Sequence, residues 1–214
     1  MKTVALVSRK GGSGKSLLAI HIAVAFDTRG VNTSVIDLDP QRSAWHFGED
    51  RGKGKYPDFY TPRLDQLAGF MDELAGNDVK LVIIDTPPHS DERSLAAIRL
   101  ADLVLVPFRP SLLDLRALED TARLVGVAGK TAQTVLLMNA TPSRSPLVQE
   151  TLEAAGAFGL AVCPVTISDR TAFNHAITAA QGVTEYEPMG KAAQEIIELR
   201  RFIAKQLKIK KATL

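Results

Sequence analysis

Short apolar runs rich in β-branched residues alternate along this chain with longer stretches in which apolar positions recur at helical spacing. The short runs predict strands at Thr3–Ser8, Thr33–Leu38, Leu81–Asp85, Leu103–Pro107, Thr134–Asn139 and Leu160–Val165. The longer stretches predict helices over 15–28, 63–75, 91–101, 112–128, 146–155 and 190–208. Several strand candidates are apolar at almost every position, the pattern of parallel strands covered on both faces. Repeated strand–helix alternation therefore predicts an α/β fold, a doubly wound and mostly parallel sheet with helices on both faces. Sheets of this kind bind ligands beyond the carboxyl ends of their strands. The least regular stretch, 48–62, holds Gly48, Gly52, Gly54, Pro57 and Pro62 and reads as a loop with room for a short edge strand.

Composition adds bounds to this picture. A chain of 214 residues with 45% hydrophobic content can bury one substantial core, and no repeat, low-complexity block or linker divides it, so 1–214 reads as one domain. A charged fraction of 23% and a net charge of +2 mean that affinity for nucleic acid or membranes must come from local placement of charge. Cys163 is the only cysteine, which excludes an internal disulfide and any zinc or cluster site built from several thiolates of one chain. No apolar run has the length of a signal peptide's core or a bilayer span, and a cytoplasmic location is expected. His21, His46, His89 and His175 lack metal-ligand spacing and read as structural or solvated.

The candidate chemistry starts at Arg9-Lys10-Gly11-Gly12-Ser13-Gly14-Lys15-Ser16, between the first strand and the first long helix. The ordinary phosphate-loop pattern G-x-x-x-x-G-K-[ST] asks for glycine where this chain has Arg9, so the strict motif fails. Its physics survives. Gly11, Gly12 and Gly14 let successive backbone N–H groups turn towards an anion, and the following helix adds a positive dipole end. In that arrangement Lys15 neutralises phosphate oxygens and the Ser16 hydroxyl ligates magnesium. Two later strands end in acids, Val35-Ile36-Asp37-Leu38-Asp39-Pro40-Gln41 and Val82-Ile83-Ile84-Asp85-Thr86-Pro87-Pro88. Hard carboxylate oxygens beside a triphosphate suit a hydrated magnesium ion, so ATP and Mg2+ are the expected cofactors.

These three blocks, in this order and spacing, resemble the deviant Walker A ATPases of the ParA/MinD type, and the resemblance extends over nearly the whole chain. It implies a P-loop NTPase fold and a nucleotide site formed by Lys10, Gly11, Gly12, Ser13, Gly14, Lys15, Ser16 and Leu17. It implies that Lys10 reaches the partner's nucleotide across an ATP-bound homodimer; from the residues alone Lys10 could equally be a solvated loop lysine. It implies that Asp39 positions the attacking water, that Asp37 and Asp85 hold magnesium waters with Ser16, and that Asn139 contacts adenine. Asn139 could also be a capping residue. With Lys10, Lys15 and Asp39 as catalytic groups, the resemblance implies slow ATP hydrolysis that a partner stimulates.

The C-terminal segment discriminates among branches of that family. Arg200, Arg201, Lys205, Lys208, Lys210 and Lys211 fall together without an acid. On a helical projection Ala192, Ile196, Leu199, Ile203 and Leu207 share one stripe, with Arg201, Lys205 and Lys208 roughly opposite. Three readings stay open: a solvated surface helix, a non-specific DNA surface, or an amphipathic membrane tail as in MinD-like division regulators. The end of the chain lacks large apolar anchors such as Phe or Trp, so no stable membrane association is expected. Arg170 falls where partition ATPases carry a DNA-contacting arginine, with a local salt bridge to Asp169 as the alternative. The resemblance thus favours a nucleoid-associated partition ATPase served by a centromere-binding, ParB-like adaptor. With the phosphate loop at residue 9, no N-terminal helix-turn-helix is expected.

Overall fold

The computed structural model describes residues 1–142 and 147–209; Pro146, Lys210 and Lys211 of the readings above lie outside them. The first half of the chain runs β1 (Lys2–Leu6), α1 (Lys15–Asp27), β2 (Thr33–Asp37), α2 (Ser43–Arg51), β3 (Asp58–Tyr60), α3 (Leu67–Gly76) and β4 (Leu81–Asp85). It continues with α4 (Asp91–Leu100), β5 (Leu103–Phe108), α5 (Leu112–Val127) and β6 (Thr134–Met138). The last elements are α6 (Leu147–Gly156), β7 (Ala161–Val162), α7 (Thr171–Thr178), α8 (Val183–Tyr186) and α9 (Lys191–Gln206). The strands pair in parallel in the order β3-β2-β4-β1-β5-β6-β7, the doubly wound sheet that the alternation predicted.

Alternate residues of each central strand feed two cores. Val4 and Leu6 of β1 with Leu81 and Ile83 of β4 pack beneath α1 and α9. Ala5, Val82 and Ile84 pack on the other face with Met71, Leu74, Ile98, Leu118 and Val125 of the helices there. Helix α1 is apolar almost all round because it is enclosed on nearly every side, with Leu18 through Phe26 buried. The predicted stripe of α9 docks as expected: Ile196, Leu199, Ile203 and Leu207 are all buried, each contributing about 1.5–3 kcal/mol by leaving water.

Three helices were not foreseen. Helix α2 occupies the start of the stretch read as irregular, and β3 forms the edge strand for which that stretch had room, pairing with β2. Gly48 within α2 lies so close to Phe59 that a Cβ would come within 2.7 Å of its ring. Phe47 meets Phe59 edge-on at 5.6 Å, which seals this corner. Helices α7 and α8 are short; Phe173, Ala176 and Val183 pack into the core, and buried His21 adds a polar tie, its Nδ1 accepting the Val183 N–H at 3.0 Å. Burial holds the His21 imidazole neutral, its pKa pushed down to about 4, in line with the structural reading. Arg200, which lies outside the basic face drawn through Arg201, Lys205 and Lys208, is 1% exposed and has partners of its own.

Candidate functional site

Sheet register assembles the site. Asp37, the last residue of β2, stands beside Asp85, the last residue of β4, and Asp85 in turn stands beside Leu6, where β1 ends. Because neighbouring strands lie about 4.8 Å apart, the ends of three strands place the phosphate loop and both carboxylates within one patch. A cleft of about 250 Å³ opens there, lined by Gly11, Gly12 and Gly14 to Leu17 of the loop and by Asp39, Gln41, Ser43 and Pro88.

The loop takes its shape from two left-handed glycines, Gly12 at φ 72° and Gly14 at φ 95°. Gly14 has a second constraint: a Cβ would meet Asn139 Nδ2 at 2.2 Å. Asn139 is 3% exposed at the end of β6 and donates from that nitrogen to the Ser13 carbonyl at 2.7 Å. It braces the loop from behind and does not line the cleft. The departure from the ordinary motif has a simple cause. Arg9 does not occupy the left-handed region, so nothing at that position requires glycine. Its side chain turns outward to pair with Asp91 at the start of α4, and its N–H donates to Thr121 of α5.

Lys15 is 6% exposed, and its ammonium donates to the carbonyls of Ser8 and Lys10 at 3.2 and 3.5 Å. Burial lowers its pKa, while Asp85 and Asp39 pull it back up. Asp85 is completely buried, and neither of its oxygens has a hydrogen-bond partner. Desolvation raises its pKa to about 7, reinforced by the charges of Asp37 and Asp39; Ser16, short of full hydrogen-bond geometry, and Lys15 act in the opposite direction. The Ser13 hydroxyl is also buried without a partner. A native interior rarely leaves such groups unmatched. Uncommitted hard oxygens next to a lysine and a glycine-turned loop fit a hydrated Mg2+ beside a triphosphate.

Asp37 is used differently. Its Oδ1 accepts the Asp39 N–H at 2.9 Å, and its Oδ2 accepts the N–H groups of Ala44 and Trp45 at 2.9 and 3.1 Å. It therefore caps α2 from six residues before that helix begins, satisfying donors that the first turn would otherwise leave open. Asp39 is half-buried at the cleft, with its Oδ1 accepting the Gln41 N–H at 2.9 Å. The Lys10 side chain has no hydrogen-bond or ion-pair partner among the described residues.

This geometry matches a known lineage. Residues 4–183 match the CobQ/CobB/MinD/ParA nucleotide binding domain. The chain belongs to this family. It is an ATPase of the ParA/MinD type, and the P-loop NTPase fold expected from the sequence is the one observed. A curated relative from Halothiobacillus neapolitanus, maintenance of carboxysome distribution protein A, is 26% identical over 202 residues, 91% of this chain and 92% of that one. Protein ParA of Rhizobium radiobacter is 32% identical over 117 residues, 53% of this chain and 51% of that one. In fold the chain is similar to a Cyanothece McdA solved as an ATP complex, with TM-score 0.74, 18% identity, and coverage of 99% of this chain and 98% of that one.

The remaining expected site residues lie away from the cleft, in or near α9. Arg201, Lys205 and Lys208 are exposed, and none of the three makes an ion pair among the described residues. Arg170 does make one, with a partner that differs from the Asp169 alternative. Its Nε and Nη2 both donate to Glu195 Oε1 of α9, at 3.0 and 2.7 Å, and Glu195 also accepts the Ser168 N–H and hydroxyl. Residues that sequence reasoning missed include Arg93 and Arg109. Arg93 donates to the Leu38 carbonyl, and Arg109 places its guanidinium so that a Cβ added at Gly12 would stand 3.8 Å from its Nη2. Neither sits in a motif, so only the packing of α4 and the end of β5 reveals them.

Proposed function

We propose that this chain is an ATP-driven positioning ATPase that rides DNA without sequence preference as an ATP-bound homodimer and lets go on partner-stimulated hydrolysis. Phosphoryl transfer in such a site depends on placement and charge stabilisation. In this reading Lys15 and the amides of Gly11 to Ser16 hold the triphosphate of the same chain, Lys10 reaches the partner's nucleotide, and Asp39 orients the attacking water. Ser16, Asp37 and Asp85 would hold Mg2+, which would supply charge neutralisation at the phosphate oxygens. Asn139 would contact adenine while bracing the loop.

The observation that carries the DNA reading is the exposed cationic line Arg201, Lys205, Lys208, free of acid partners among the described residues. None of the exposed large apolar side chains stands on α9, which disfavours α9 as a membrane-lying helix. No helix among them is long and apolar enough to cross a membrane. Arg170 would join this surface only by sharing its guanidinium with Glu195. Two cargoes fit the same engine. A DNA replicon bound by a ParB-like, centromere-binding adaptor follows from the partition resemblance. A protein body bound by another adaptor is favoured by the carboxysome-distribution relative, which matches 91% of this chain whereas the ParA protein matches 53%.

The test is co-sedimentation of the full chain with random-sequence duplex and, separately, anionic liposomes, each with ATP or ADP and Mg2+. ATP-dependent DNA binding is expected, with log affinity falling linearly with log salt. Lys205→Ala should flatten that slope by about 0.9 if it removes one phosphate contact. Liposome binding in place of DNA binding would transfer the chain to the membrane-recruited branch.

A further inference from the structure

Leu38 lies between the two acids of the second strand's end, and the neighbouring segment grips it from both sides. Its N–H donates to the Asp85 carbonyl at 2.9 Å. Its carbonyl accepts a 2.6 Å hydrogen bond from Nη1 of Arg93, on α4. That carbonyl belongs to the same planar peptide unit as the Asp39 N–H, which donates to Asp37 Oδ1 at 2.9 Å. The peptide leading into Asp39 is thus held at both of its polar atoms, one end by a residue of its own strand and the other by α4. The backbone just beyond is strained, with Arg42 at φ 53° and its N–H tied to the Asp39 carbonyl. Without Arg93 this peptide unit would be held at its N–H alone.

We propose that Arg93 is a positioning residue for ATP hydrolysis: through the Leu38 carbonyl it fixes the orientation of Asp39 and links α4, which follows Asp85, to the Asp39 segment. This rests on the reading of Asp39 as the group that orients water. Arg93 makes no ion pair among the described residues, so its charge is directed at a backbone carbonyl, a strong charge-assisted bond. Movement of α4 would reach Asp39 through this one contact, with no need for α4 to touch the nucleotide. The bond is also accessible. Arg93 lines a cleft of about 390 Å³, together with Thr61, Pro62 and Arg63, that shares Asp39 with the phosphate cleft.

That access supplies the test. ATP turnover and nucleotide affinity are measured for the full chain and for Arg93→Ala, Arg93→Lys and Asp39→Ala, with thermal melting of each. Arg93→Ala is expected to lower kcat by about 10- to 100-fold, as misplacement of a catalytic group by about 1 Å does, with ATP affinity changed by less than about threefold. Methylguanidinium added at millimolar concentration should restore part of the turnover of Arg93→Ala and none of Asp39→Ala, and Arg93→Lys should fall between. Turnover of Arg93→Ala within about twofold of the parent would overturn the proposal. So would a loss of turnover, affinity and melting temperature together that methylguanidinium does not reverse. Parental turnover in Asp39→Ala would remove the water-orienting role itself, and with it the group that Arg93 is held to position.

Discussion

Gly14→Ala is expected to disrupt the phosphate loop through a contact that no loop motif mentions. The residue sits at φ 95°, ψ 17°, so an alanine there carries the left-handed penalty of roughly 1–2 kcal/mol. The new methyl would also stand 2.2 Å from Asn139 Nδ2 and 3.4 Å from its Cγ. Asn139 is buried and bonded to the Ser13 carbonyl, so it can move aside only by breaking that 2.7 Å bond, leaving a buried acceptor open at about 1–3 kcal/mol. The sum is roughly 2–5 kcal/mol. Asn139→Ala alone removes the same hydrogen bond, so the double variant loses it only once and contains no clash. Urea unfolding without nucleotide, followed by circular dichroism, should therefore show the pair less destabilised than the two single losses added, by about 1–3 kcal/mol. Gly12→Ala provides the control. Its methyl would meet nothing nearer than Arg109 Nη2 at 3.8 Å, so it should carry only the left-handed cost and not couple to Asn139. Strict additivity of Gly14→Ala and Asn139→Ala would refute the reasoning.

Two further outcomes follow from buried polar groups. Arg51 is almost fully enclosed and donates to both oxygens of Glu185, to Ala180 and to Tyr56, joining α2 to the α7–α8 corner. Arg51→Ala should lower unfolding stability by about 1.5–3 kcal/mol, because a half-buried carboxylate and two carbonyls lose a charged donor; a change under 1 kcal/mol would show the network to be dispensable. His21 has a folded pKa of about 4 against an ordinary 6.5, so the unfolded chain binds its proton first as pH falls. The associated stability is complete above pH 6.5, declines as pH drops towards 4, and amounts to about 3 kcal/mol in all. Urea midpoints measured from pH 7.5 to 4.5 should fall less steeply in His21→Gln than in the parent, and parallel profiles would contradict the assignment.

The amino-acid pattern alone determined the layers, the phosphate loop and the docked stripe of α9. Each is local: apolar runs choose strands, the spacing of Ile196, Leu199 and Ile203 selects a buried face, and a Gly12–Gly14 turn ahead of Lys15 creates an anion cradle wherever it falls. The structure decided what depends on groups far apart in the chain. Helix α2 was invisible because its cap, Asp37, precedes it by six residues and acts from the end of a strand. For Arg170 the sequence offered a salt bridge to neighbouring Asp169 as the alternative to a DNA contact, whereas folding brings it Glu195 from α9. Arg200 is one of a run of cations in the sequence, and only the fold shows that it is enclosed. Arg93, and the brace that Asn139 gives the loop, became legible only when sheet order set α4 against Leu38 and the end of β6 behind Ser13. Hydrophobic period is set by neighbours in sequence, and hydrogen-bond partnership by neighbours in space, so the first could be read in advance and the second had to be seen.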